Sequence, residues 1–60
     1  MKHKLSQQDH TEINNLDTTR VVEIFEAFGF ACRPDETREG LLAGLRVNIE
    51  SGDIPIRMIY

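Results

Sequence analysis

Val21, Ile24, Phe25 and Phe28 stand at i, i+3, i+4 and i+7, the spacing that lines one face of an α-helix, with Arg20, Glu23 and Glu26 on the other side. The pattern predicts a helix over residues 18–28. Asp17 precedes it as an N-cap, where a carboxylate accepts hydrogen bonds from the free amides of the first turn. Leu16 and Val21 then occupy the two positions of a hydrophobic staple. At the other end, Gly29 suits the left-handed residue just past a helix, and Phe30 stands where it folds back onto Phe25.

A second apolar face is spelled by Leu41, Leu42, Leu45 and Ile49, which predicts a helix ending near Ser51-Gly52. The residues between the two helices, 30–35, are expected to be an extended connection, because Pro34 biases Arg33 away from helical geometry. Asp35 is the expected N-cap of the second helix, with Glu36 in a first turn where the helix dipole favours negative charge. Gly40 and Gly44 weaken this helix by roughly 1 kcal/mol each relative to alanine, and four residues apart they also let another helix approach closely. The same stretch carries a rival pattern. Leu45 to Glu50 alternates apolar and polar, Ser51-Gly52-Asp53 is a turn signal, and Ile54, Ile56, Met58 and Tyr60 alternate again, as in a β-hairpin. Leu41 and Leu42 join the helical pattern without a break and favour the helix.

The two ends read differently. Residues 1–12 are polar apart from Met1 and Leu5 and are expected to be a mobile tail, leaving residues 13–60 as a single small domain. Residues 54–60 are almost wholly apolar, and Pro55 forbids a helix interior there. This segment is expected to be extended, packing across the helix pair or adding as a strand to a partner. The fold class is therefore mainly α, a two-helix core of helix–extended loop–helix form with a polar N-terminal tail and an extended apolar C-terminal segment.

Composition narrows the function classes. A chain of 60 residues makes one domain and buries only about 60% of the surface it exposes when unfolded. The single cysteine, Cys32, allows no internal disulfide, and no Cys/His set has zinc spacing, so no metal or other cofactor is expected. A free thiol fits a reducing compartment, and the charged start lacks the apolar run of a secretory signal, so the expected location is cytoplasmic. No apolar stretch approaches the ~18 residues that span a bilayer. The net charge of −3 lacks the basic footprint usual in nucleic-acid binding. No Gly-rich phosphate loop, Ser/His/Asp set or paired carboxylates are found, so neither an enzyme nor a small-molecule substrate is expected.

Val21-Val22-Glu23-Ile24-Phe25-Glu26-Ala27-Phe28-Gly29-Phe30 followed by Asp35-Glu36-Thr37-Arg38-Glu39-Gly40-Leu41-Leu42 resembles the helix–extended loop–helix motif of SAP-like domains and small phage-encoded modules. The resemblance covers residues 18–45, about half the chain. It implies a nucleic-acid-binding module using basic residues near the loop and the start of the second helix, which here are Arg33 and Arg38, joined by Arg20 and by Lys2 and Lys4 from the tail. Asp35, Glu36 and Glu39 interrupt that basic surface.

Several residues carry both a plain and a functional reading. Lys2-His3-Lys4, His10 and Glu12 suggest a metal or phosphate site but are expected to be solvated tail, since a flexible segment offers no preorganised geometry. Cys32 beside Arg33 suggests a lowered pKa, against a half-buried loop cysteine. Phe25, Phe28 and Phe30 suggest a base-stacking platform, against a core that needs them. Asp35, Glu36 and Glu39 suggest a dock for a basic partner, against a solvated first turn. The favoured reading is a small acidic regulatory or adaptor protein acting by protein–protein interaction through Ile54, Ile56, Met58 and Tyr60 with the acidic set. In style it resembles accessory proteins of phages and mobile elements that modulate a host factor. A structural homodimer is the remaining alternative, since a chain this small covers little of its own apolar surface.

Overall fold

A computed structural model describes residues 3–60 and shows three α-helices and a closing 3₁₀ turn: α1 (Gln7–Asn14), α2 (Thr18–Ala27), α3 (Arg38–Ser51) and the turn Ile56–Ile59. No strand occurs among the described residues, so residues 45–50 take the helical alternative and the hairpin is excluded. The chain is mainly helical, with one helix more than the two-helix core that periodicity predicts.

The additional helix lies where a polar tail is expected. Ser6 and Asp9 form a capping box: the Asp9 amide donates to Ser6 Oγ (3.1 Å) and the Ser6 amide to Asp9 Oδ2 (3.0 Å). Two donors of the first turn are thereby satisfied reciprocally. Ile13 is the one apolar side chain of α1 in the core, fully buried, with Leu16 just beyond the helix half-buried against it. Ahead of α1, the His3 amide donates to the Glu50 carbonyl (2.9 Å) and Leu5 packs on the core, so residues 3–5 lie across the end of α3.

α2 begins and ends close to its predicted bounds. Asp17 has the extended backbone of an N-cap, but its carboxylate makes no capping bond. At the far end Gly29 has φ +81°, the Gly29 amide donates to the Glu26 carbonyl (3.1 Å) and the Phe30 amide to that of Phe25 (2.9 Å). Both bonds of a Schellman stop are present. The Phe30 ring meets Phe25 edge to face at 5.9 Å, the hydrophobic contact that accompanies such a stop.

α3 packs against both α1 and α2 and is the middle of the fold. It starts later than the sequence suggests. Thr37, not Asp35, is the N-cap, its hydroxyl accepting the Gly40 amide (3.0 Å). A turn closed by the Glu36 amide on the Arg33 carbonyl (3.2 Å) precedes it. Leu45 and Ile49 are sealed from water, Leu41 and Leu42 nearly so, and Gly52 ends the helix with φ +91°.

Beyond Gly52 the chain turns back. The Ile54 amide donates to the Asn48 carbonyl (3.1 Å) and Ile54 is buried. Pro55 then opens the 3₁₀ turn at its preferred φ of −66°. The segment expected to be extended is therefore wound. Three residues per turn put Ile56 and Ile59 on one side, and Ile59 is buried with Ile56 and Met58 packed partly on the core.

Candidate interaction site

Winding redistributes the four C-terminal residues proposed as one contact face. Ile54 is a core residue with 1% exposure, Ile56 and Met58 are half-buried, and only the ring of Tyr60 stands out, 62% exposed. Val47 on α3, 64% exposed, is the other large apolar side chain facing water among the described residues. It borders a shallow open groove of about 450 Å³ that it shares with His3, Lys4, Glu50 and Ser51.

The Tyr60 hydroxyl turns inward and donates to Asp9 Oδ1 (2.5 Å), while Asp9 Oδ2 accepts from His3 Nε2 (3.2 Å) and from the Ser6 amide. One buried carboxylate thus joins α1, the segment before it and the end of the 3₁₀ turn. The Ser6 amide first, then the Tyr60 hydroxyl and His3, hold the Asp9 carboxyl well below the usual carboxylate range, against a smaller opposing effect of burial. The phenol of Tyr60 is pushed up to about 12, chiefly by its bond to Asp9, then by desolvation and the charges of Asp9 and Glu12. Sequence reasoning missed Asp9. The signal was present in Ser6-Gln7-Gln8-Asp9, a serine and an acid at capping-box spacing.

Two of the three arginines singled out for nucleic acid, Arg38 and Arg20, bond within the chain, and so does Arg46. Arg38 donates to the Asn14 carbonyl (2.8 Å) and to Thr18 Oγ1 (3.3 Å), and Arg46 donates to Asn14 Oδ1. These contacts bring cations to the C-terminus of α1, where exposed carbonyls carry the negative end of the helix dipole. Arg20 reaches the Met58 carbonyl at 3.4 Å and Glu23 at 3.9 Å. Arg33 is exposed on the connection, and Lys2 lies outside the described residues.

The acidic set behaves oppositely. Asp35 and Glu36 sit in the turn before α3 and Glu39 in its first turn, all exposed. Among the described residues none of these three, nor Glu26, takes part in an ion pair. Beside them the end of α2, the connection and the first half of α3 enclose a hollow of about 160 Å³, lined by Phe25, Phe30, Leu41, the bare backbone of Gly40 and Gly44, and Glu36. Phe25 belongs to the core and Phe28 and Phe30 pack against it, so the three do not form an open stacking platform.

Cys32 lies on the same hollow, half-buried. Desolvation, then the negative charges of Glu26 and Glu36, push its thiol up. The shift is opposite to the lowering that the neighbouring Arg33 suggests. That environment disfavours the thiolate that reactivity requires. No group of three or more metal-binding side chains gathers among the described residues, and no helix there is long and apolar enough to cross a membrane. No protein-family model matches this chain, and neither a curated protein nor a solved structure does.

Proposed function

We propose that this chain is a small acidic regulatory or adaptor module that works through protein–protein contact. The observation that carries the reading is the unequal use of its charges. Arg20, Arg38 and Arg46 each donate to a carbonyl or side chain of the same chain, while among the described residues Glu26, Asp35, Glu36 and Glu39 face water outside any ion pair. A surface of unpaired carboxylates repels phosphate backbones and steers basic partners. Tyr60 and Val47 supply exposed apolar surface of the kind that anchors interfaces.

The SAP-like reading, a nucleic-acid module using Arg20, Arg33 and Arg38, makes the opposite demand. Committing Arg20 and Arg38 to phosphate would require them to leave Met58 and Asn14. Native mass across a wide concentration range, run beside a titration with non-specific duplex DNA at low salt, separates the readings. The expected result is a monomer that does not bind DNA. Binding that collapses as salt rises would establish the nucleic-acid module instead. A dimer whose melting temperature rises with concentration would establish the structural homodimer.

A further inference from the structure

The hollow between α2 and α3 is too small for most ligands. At about 160 Å³ it falls below the roughly 300 Å³ where small-molecule sites begin, and it has room for about one side chain. Its apolar part is built from Phe25, Phe30 and Leu41, and Glu36 stands at its edge. The hollow exists because α3 has no side chain at positions 40 and 44. Neither glycine has the positive φ that demands one. At Gly40 a Cβ would press on the capping hydroxyl of Thr37 at 3.2 Å, which accounts for glycine there. At Gly44 a Cβ would meet only Phe25 Cζ, at the ordinary distance of 3.5 Å. Packing within the chain does not require glycine at 44, and a helix interior disfavours it. What its absent side chain provides is open space.

The one charged side chain that lines that space is a carboxylate. Glu36 stands at the edge of the hollow, beside Cys32 in the lining. Asp35 and Glu39 lie near Glu36 in the chain, Arg38 is engaged with Asn14 and Thr18, and Arg33, next to Cys32 in the chain, is in no ion pair among the described residues. An apolar slot with a carboxylate at its edge rejects an anion and leaves that charge unanswered if a neutral group enters. It suits a long aliphatic stem ending in a cation, which buries the stem and keeps the head at the charged edge.

We infer that this hollow receives a lysine or arginine side chain from a basic segment of a partner protein, the stem against Phe25, Phe30 and Leu41 and the cation at Glu36. The inference rests on the protein-contact reading above and gives that partner a chemistry.

The test titrates the full chain, labelled with ¹⁵N, with capped five-residue alanine peptides whose central residue is lysine, norleucine or glutamate. The lysine peptide is expected to move the amides of Ala31, Cys32, Gly40 and Gly44 along a saturating curve. The norleucine peptide should bind more weakly and the glutamate peptide not at all. Glu36→Gln should weaken the lysine peptide by about threefold, the size of one exposed ion pair. Gly44→Ala should raise the melting temperature and still abolish binding, which separates the slot from folding. Equal binding of lysine and norleucine peptides, shifts centred on Lys4, Val47 and Glu50 instead, or no shifts at the highest concentration would each overturn the inference. Mass and DNA measurements on the same sample keep the two readings apart. A monomer that binds neither DNA nor the lysine peptide removes the slot and leaves the partner reading intact, whereas DNA binding removes both.

Discussion

α1 and α2 have similar lengths and rest on different physics. α2 carries its own instructions: Val21, Ile24 and Phe25 fall on one face and enter the core, and Gly29-Phe30 closes the helix within five residues of Phe25. α1 contributes Ile13 and little other apolar surface, and it is held by polar groups from elsewhere in the chain. Tyr60 and His3 reach Asp9, and Arg38 and Arg46 reach Asn14. An element with a local apolar stripe and local stop is readable from its own residues. One fastened by distant donors becomes readable only once the fold is assembled.

The hardest break of that contrast is at the shared core. Ile24 is fully buried, and Ile24→Ala should cost about 2–5 kcal/mol through lost burial and the cavity left behind. A core of this size rarely supplies more than ~3–5 kcal/mol, so the expected outcome is loss of the far-ultraviolet helical signal at 25 °C from all three helices together. A variant that keeps its α1 and α3 amides protected would show that α1 and α3 hold together without α2.

Two smaller changes compare the local signals. Gly29 has φ +81° and nothing within 4 Å of a Cβ, so Gly29→Ala tests backbone conformation alone and should cost about 1–2 kcal/mol. Ser6→Ala removes one half of the capping box and should cost about 1 kcal/mol. Hydrogen exchange distinguishes their reach. Gly29→Ala should lower protection across α2 and α3, and Ser6→Ala chiefly in α1. Equal loss everywhere for Ser6→Ala would mean α1 does not open separately.

The legible part of the fold follows the same division. The apolar faces of α2 and α3, the Gly29 stop and the Gly52 end are all encoded within a turn or two of the residues they govern. The start of α3 is misread as Asp35: Thr37 is as good a cap, and the turn closed by Arg33 and Glu36 selects it. The C-terminal segment misled because strict alternation over Ile54, Ile56, Met58 and Tyr60 describes a strand. Pro55 and the need to bury both Ile54 and Ile59 favour a 3₁₀ turn in its place. Of the candidate site, the acidic set was visible from composition. The hollow beside it was not, because it needs Phe25, Phe30, Gly40 and Gly44 brought together across two helices.

The smallest effect concerns the carboxylate that ties α1 to the chain end. Asp9 is held below the usual carboxylate range in the folded state, so its contribution is present above the unfolded value of about 3.9 and is lost as pH falls through the folded one. Tyr60 is shifted the other way, to about 12, so its contribution is complete below pH ~10 and is lost as pH rises from there through the folded value. Tyr60→Phe keeps the ring and deletes the hydroxyl. Urea midpoints of the two proteins should differ by a constant amount through neutral pH and converge between about pH 10 and 12, where the native phenol gives up its proton. Taking the difference cancels every other group that titrates in that range. The acid limb should persist in Tyr60→Phe, because the Ser6 amide, the largest influence on Asp9, remains in place. Asp9→Asn should flatten the acid limb and remove the alkaline convergence as well, since the tyrosine then has no carboxylate to hold its proton. A gap between native protein and Tyr60→Phe that ignores pH from 10 to 12 would mean that the Tyr60 hydroxyl does not help to hold α1, leaving Ile13, the capping box and the contacts of His3, Arg38 and Arg46.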